Sequence, residues 1–275
     1  MNIGIVGLGL MGGSFALSLK KYNIVDKLFG YDHNTSHEEE ALKLDIVDKI
    51  VTLETLKTCD VIILAIPVDA IISFLNNIGE ISSNTTIIDF GSTKKLIVDS
   101  LPQNLKSNFI PAHPMTGTEK FGPSAAVENL YENKVIVLCN LEKCKEEHKQ
   151  RAIKIFETIK MNLVYMDAKE HDIHASYISH LPHAISYALA NIVMEHENPN
   201  NIISLAAGGF NDMSRIAKSS PSMWLDIFKQ NKDNLLNGID IFEKQMDKIK
   251  NMLKNEDYEN INKWMLKANS LHDIL

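Results

Sequence analysis

The stretch Ala112-His113-Pro114-Met115-Thr116-Gly117-Thr118-Glu119 holds the residue types needed for proton transfer at the end of a strand. Its histidine can accept a proton near neutral pH. Pro114 stops the strand that delivers it, and a Gly-containing turn closes on a carboxylate. Strand ends facing a bound cofactor are where open α/β sheets keep their chemistry. The plain alternative is a β-turn with an incidental histidine, since loops of this kind are common.

A second group belongs to a phosphate cradle. Gly7-Leu8-Gly9-Leu10-Met11-Gly12-Gly13-Ser14 follows the apolar run Ile3–Val6 and opens a helical pattern through Phe15, Leu17 and Leu19. Gly7 allows the tight turn, Gly9 lets a pyrophosphate approach the backbone, and Gly12 lets helix and strand lie close. The free N–H groups and positive dipole end of that helix face the phosphates. Asp32 comes twenty residues after Gly12, at the end of Leu28–Tyr31, where an acidic side chain takes ribose hydroxyls. No Lys or Arg follows it closely, so the expected cofactor is NAD. Gly7, Gly9, Leu10, Met11, Gly12 and Asp32 are assigned to that site, with Ile66 and Pro67 at the end of the next strand.

These groups need elements to position them. Asp60–Ile66 is an uninterrupted apolar run of the kind buried on both faces of a sheet. Pro67 ends it, and Val68–Ile78 reads as a helix. Thr85–Asp89 is a further strand, closing in Phe90-Gly91-Ser92-Thr93-Lys94. Ser92 stands on the cofactor edge, although Ser92 or Thr93 could simply cap the next helix. Asn108–Ala112 delivers His113. Lys134–Leu138 and Leu163–Met166 are two more strands around a helix from about Cys144 to Lys160. From Asp167 onward the pattern is helical. An N-terminal Rossmann-like α/β domain with a mostly parallel sheet, residues 1–166, is therefore expected ahead of an all-helical domain, residues 167–275.

The helical part carries further candidates. The segment Glu170–Glu195 holds His171, His174, His180 and His183. At 100° per residue His180 lies roughly opposite His171, and His183 roughly 120° from it, so the four do not converge on a metal unless Pro182 breaks the helix. No metal is expected. His180 and His183 share a face and are expected to point toward the cofactor domain, the other pair being solvated or structural. Two glycines, Gly208 and Gly209, separate helices, and Asp212 can charge the start of the second. Arg215 either pairs with Asp212 or holds a substrate carboxylate bidentately; spacing leaves both open. Pro221 and Ser222 start another helix, and Trp224–Leu271 reads as two amphipathic helices suited to a core or subunit contact.

Composition excludes several classes. With 275 residues, 45% of them hydrophobic, the chain can bury a sizeable core. A net charge of −7 offers no footprint for nucleic acid. No apolar run approaches the roughly eighteen residues of a membrane span, and no basic segment precedes Asn2, so no signal peptide is expected. Cys59, Cys139 and Cys144 are odd in number and lack zinc-like pairing. A cytoplasmic protein with reduced thiols is expected.

Taken together, these motifs resemble those of the prephenate/arogenate dehydrogenase family of tyrosine biosynthesis. The likeness spans the chain: GLGLMGGS at 7–14, DFGSTK at 89–94, HPMTGTE at 113–119, SHLPH at 179–183, GGFNDMSRIA at 208–217, and Trp224 after Pro221. Thr116 stands where members often have Ala, and Asn211 where an Arg or similar residue is frequent. The resemblance implies a homodimer formed through the helical domain and a substrate cleft between the domains. It makes His113 the catalytic histidine and Ser92 its hydrogen-bonding neighbour. His183 and Arg215 become substrate contacts, with His180 and Trp224 in the same site, and Glu119 and Asp212 belong to the surrounding polar network. No chorismate-mutase segment and no C-terminal ACT domain are expected.

The implied reaction is NAD-dependent oxidative decarboxylation of prephenate to 4-hydroxyphenylpyruvate, with arogenate as the alternative substrate. The GLGxMG loop also resembles that of β-hydroxyacid dehydrogenases, which use a lysine from a helical domain, and neither SHLPH nor GGFNDMSR offers one. A protein that merely senses NAD(H) has no use for His113, Ser92 and Arg215 together.

Overall fold

A computed structural model describes residues 1–274. Eight strands form one sheet: β1 (Asn2–Val6), β2 (Lys27–Tyr31), β3 (Lys49–Ile50), β4 (Val61–Leu64), β5 (Thr86–Asp89), β6 (Phe109–Pro114), β7 (Val135–Cys139) and β8 (Asn162–Met166). Their order is β3-β2-β1-β4-β5-β6-β7-β8. Strands β1 to β6 run parallel to their neighbours, β7 is antiparallel to β6, and β8 is parallel to β7. The α/β expectation and the mostly parallel sheet hold. The two-residue strand β3 is too short for a periodicity signal.

Alternation along the central strands explains how both faces are filled. Ile3 and Ile5 of β1 and Val61 and Ile63 of β4 join one core with Phe15, Ala152 and Phe156. Val6, Ile62 and Leu64 join another with Ile71, Leu75, Trp224 and Ile227. Successive side chains of a strand point to opposite faces, so the all-apolar VIIL of β4 fits a strand covered on both sides. The helices Leu10–Lys21 and Glu146–Thr158 supply residues to the first core, and Val68–Asn77 and Pro221–Gln230 to the second. The chain between β6 and β7 is pinned to the first helix. Val127 N–H donates to Ser14 Oγ at 2.8 Å, and Tyr131 Oη donates to the Met11 carbonyl at 2.7 Å.

After β8 the chain is helical. Helix Ala168–Ala175 runs through a π-helical turn, Ser176–His180, into helix Leu181–His196. The span from Trp224 to Leu271 contains three helices instead of two, because Asn231 separates Pro221–Gln230 from Lys232–Lys254; Tyr258–Asn269 follows. By packing, the chain falls into two compact units, Met1–Asn231 and the residues from Lys232 onward. The helices of 168–230 thus group with the sheet. Among the described residues no helix is long and apolar enough to cross a membrane.

Candidate active site

The parallel strands place the candidate residues side by side. In the order β2-β1-β4-β5-β6, the strand ends lead into Asp32, Gly7, Ile66 and Ser92 and carry His113. This is the carboxyl edge at which open α/β sheets bind ligands.

The glycine loop has the shape of a phosphate cradle. Gly7 takes φ +91°, and a Cβ there would lie 2.4 Å from the Ala65 carbonyl oxygen and 2.7 Å from Ile66 Cγ2. A Cβ on Gly12 would fall 1.9 Å from the Gly7 oxygen, so helix and turn touch only because no side chain intervenes. Gly9 is different: its nearest neighbour outside the turn is Gly122 N at 4.0 Å, which leaves the helix N-terminus open to a ligand. Leu10 and Met11 form the first turn above it, and Pro67 precedes the helix of β4 at an exposed position. These residues fit a dinucleotide pyrophosphate.

Asp32 is held more tightly than expected. Its side chain is only 4% exposed. Its Oδ2 accepts from Leu8 N–H at 2.8 Å and its Oδ1 from Asn34 N–H at 2.9 Å. The carboxylate therefore ties the glycine loop to β2, and only its remaining lone pairs are open to ribose hydroxyls. His33 and His37 flank it, at 3.2 and 3.6 Å.

His113 is partly accessible at the end of β6. Its Nδ1 lies 2.8 Å from Nε2 of His171, whose Nδ1 lies 2.8 Å from Asp172 Oδ1. Asp172 Oδ1 also accepts from Lys94 N–H at 2.8 Å, and Oδ2 from Lys95 N–H at 2.9 Å. Burial, followed by His171, Lys94 and His180, holds His113 well below the usual histidine range. The Lys94 ammonium is fully buried, paired with Asp89 and donating to the Ala112 carbonyl at 2.8 Å.

Ser92 does not make the expected hydrogen bond to His113. Among the described residues its hydroxyl has no partner, and His171 occupies the Nδ1 side of the ring instead. His171 was expected to be solvated or structural; it is buried against His113, whereas the His174 side chain is 59% exposed. The geometry behind that expectation was a regular helix. The π turn winds fewer degrees per residue than an α-helix, so His180 is not carried to the far side. It is buried, and Asn231 Nδ2 donates both to its Nδ1 at 3.0 Å and to the Asp172 carbonyl at 2.7 Å. That bond leaves the proton of neutral His180 on Nε2, a buried N–H without a partner among the described residues. Burial lowers its pKa to about 4.

His183 donates from Nδ1 to the Ser179 carbonyl at 2.9 Å and stacks on Trp224, ring centroids 3.5 Å apart. Burial lowers its pKa, opposed by that hydrogen bond and reinforced by nearby Arg215. Trp224 is buried, and its indole N–H is also unpartnered among the described residues. Arg215 meets Glu119, not Asp212: Nη1 lies 3.9 Å from Oε2, with the arginine side chain 58% exposed. Asp212 does not start a helix either. The helix Gly208–Ser214 begins at the glycines, so Asp212 lies near its end, exposed and without an ion pair among the described residues.

Comparison with known proteins decides the family. Residues 15–165 match the family model for the prephenate dehydrogenase nucleotide-binding domain, and residues 167–267 that for the prephenate dehydrogenase dimerization domain. The chain belongs to the prephenate dehydrogenase family. A prephenate dehydrogenase of Bacillus subtilis is 34% identical over 98% of this chain and 75% of its own length. The crystal structure of the Aquifex aeolicus prephenate dehydrogenase with hydroxyphenyl propionate and NAD+ superposes with a TM-score of 0.92, at 32% identity, covering 99% of this chain and 97% of that one. A Synechocystis arogenate dehydrogenase superposes at 0.79, with 27% identity and 99% of both chains covered. Within this family the chain is an NAD-dependent oxidoreductase.

Sequence reasoning missed His171, Asp172 and Lys94. The only local signal was an acidic helix cap, Asp167, whose carboxylate accepts from Lys169 N–H at 2.7 Å and so places His171 in the first turns. Lys94 closes the DFGSTK segment, where no local pattern announces a buried ammonium paired with Asp89.

Proposed function

We propose that this chain converts prephenate and NAD+ to 4-hydroxyphenylpyruvate, carbon dioxide and NADH. The observation that carries the reading is the position of His113. It stands at the carboxyl end of β6, on the sheet edge that bears the glycine cradle, with Nδ1 engaged and Nε2 free of protein partners among the described residues. Bound NAD+ supplies the hydride acceptor for C4 of the substrate. His113 Nε2 accepts the proton of the 4-hydroxyl as the carbon is oxidised. Loss of carbon dioxide from C1 then leaves its electron pair in the ring, the ring aromatises, and the same proton returns to the phenolate oxygen. His113 ends as it began. Such assistance is worth roughly 10²–10⁴-fold.

The other roles follow from charge and shape. Arg215 provides a guanidinium for a substrate carboxylate, its pairing with Glu119 being loose and exposed enough to exchange. His183, His180 and Trp224 form one wall, its shape fixed by the stacking of His183 on Trp224. Ser92, with an unengaged hydroxyl, orients the substrate alcohol; Glu119 and Asp212 supply polar surroundings. Gly7, Gly9, Leu10, Met11, Gly12, Asp32, Ile66 and Pro67 hold the cofactor. In function, residues 1–166 serve the nucleotide and 167–275 the substrate and the dimer. Exposed Ile192, Met194, Ile203 and Leu205 give the helical part the apolar surface a homodimer requires.

The test is NADH absorbance with NAD+ and either prephenate or arogenate. A kcat/KM at least tenfold higher with prephenate supports the reading. The opposite order makes the chain an arogenate dehydrogenase, and no turnover with either removes the proposal.

A further inference from the structure

The two ring nitrogens of His113 have different surroundings, and these surroundings decide which one bears the proton. Asp172 is an acceptor-only group as a carboxylate, and it already accepts from the N–H groups of Lys94 and Lys95 at 2.8 and 2.9 Å. The third contact, His171 Nδ1 at 2.8 Å, is a hydrogen bond only if Nδ1 carries the proton. A neutral imidazole has one N–H, so His171 Nε2 is then an acceptor. It faces His113 Nδ1 at 2.8 Å, which must therefore be the donor. What remains on His113 is a lone pair on Nε2. The reverse order puts a lone pair of His171 against a carboxylate oxygen and a proton on His113 Nε2, where no base could act.

We propose that Asp172 and His171 are positioning residues that hold His113 as its Nδ1–H tautomer, with Nε2 presented to the substrate hydroxyl. The proposal deepens the reading above and rests on it for the identity of that hydroxyl. His171 and Asp172 are each 2% exposed, so water cannot replace either link. The anchor is part of the fold, because the backbone amides that hold Asp172 open the short helix Lys95–Asp99 directly after the Ser92 loop. A tautomer set by the hydrogen bond on the other ring nitrogen is the general behaviour of functional histidines. The groups around His113 are His171, Lys94 and His180, with Asp172 reached only through His171. None is a carboxylate in contact with the ring, so the resting histidine stays neutral. When Nε2 takes the substrate proton, Nδ1–H keeps its bond to His171 and no proton passes to Asp172. The charge appears on His113 and leaves when the proton returns to the phenolate.

The direct test is long-range ¹H–¹⁵N NMR of the ¹⁵N-histidine-labelled full chain, with His113 and His171 assigned from the spectra of His113→Asn and His171→Gln. Both rings are expected as Nδ1–H tautomers at neutral pH. An Nε2–H tautomer at His113 overturns the proposal. The second arm is kinetic. His171→Ala and Asp172→Asn should lower kcat at least tenfold while KM for NAD+ moves less than twofold. His171→Gln, whose amide oxygen can still accept from Nδ1–H, should recover part of the loss. With His171 gone, the acid limb of kcat/KM should also shift, since the bond that Nδ1–H keeps in both charge states of His113 is lost. A purely structural role predicts lower Tm with the limb and the tautomer unchanged, and that result also overturns it. If the unaltered protein turns over neither prephenate nor arogenate, the functional reading falls, while the NMR result still decides the tautomer.

Discussion

A single imidazole carries most of the chemistry proposed for this chain, and its burial defines how it should behave. His113 is held well below the ordinary histidine pKa, so it is neutral and competent as a base throughout the neutral range. The acid limb of kcat/KM is therefore expected below pH 6.5. His113→Asn should reduce kcat at least a hundredfold, within the general-base range, and leave NAD+ affinity within twofold. A variant keeping more than a tenth of the activity contradicts the assignment. Arg215 is different, because it is exposed and only 3.9 Å from Glu119. Exposed pairs contribute about 0–1 kcal/mol to stability, so Arg215→Ala should leave Tm almost unchanged while raising KM for prephenate at least tenfold. A marked fall in Tm with unchanged KM would make it structural. The glycine turn and the placing of Asp32 and His113 at strand ends were legible, because residue type and local spacing define them; for Arg215, spacing left two partners open. The His171 and Glu119 partnerships were not legible, since each joins residues from distant segments.

At the scale of elements, the strand-turn-helix at the start of the chain could be read almost whole, because glycine spacing and apolar periodicity agree there. The region from 168 to 196 could not. A π turn has no strong sequence signature, yet it resets the helix phase and leaves His180 buried and linked through Asn231 to the carbonyl of Asp172. The break at Asn231 between two amphipathic helices was equally silent. Two glycine substitutions test the cradle. Gly12→Ala improves helix propensity by up to about 1 kcal/mol, but its Cβ would sit 1.9 Å from a backbone oxygen. The clash wins, and both Tm and NAD+ affinity should fall. Gly9→Ala meets no atom nearer than 4.0 Å, so Tm should hold while the dissociation constant for NAD+ rises at least fivefold. Loss of Tm in Gly9→Ala, or none in Gly12→Ala, contradicts this account of the loop.

For the molecule as a whole, buried neutral histidines tie stability to pH. His113, His148, His180 and His183 all have lowered pKa values, with burial the largest cause in each. The unfolded chain takes up their protons near pH 6.5 and the folded chain only at lower pH. Their contribution is thus complete above 6.5 and lost as pH falls through the folded values. For His180 the drop from 6.5 to about 4 corresponds to about 3 kcal/mol. The urea midpoint should be flat above pH 7 and fall steadily between 6.5 and 4; a flat profile across that interval contradicts it. The sheet and the helical region after it were legible as a sequence of parts, but the grouping of helices 168–230 with the sheet depends on Trp224 and Ile227 filling one of its faces, which no local pattern announces. The central claim concerns the complete reaction. The most direct measurement treats a limiting amount of prephenate with excess NAD+ and the intact protein, and quantifies the products. Equal amounts of NADH and 4-hydroxyphenylpyruvate are predicted, each matching the prephenate consumed; absence of NADH, or NADH without the aromatic product, would contradict the account.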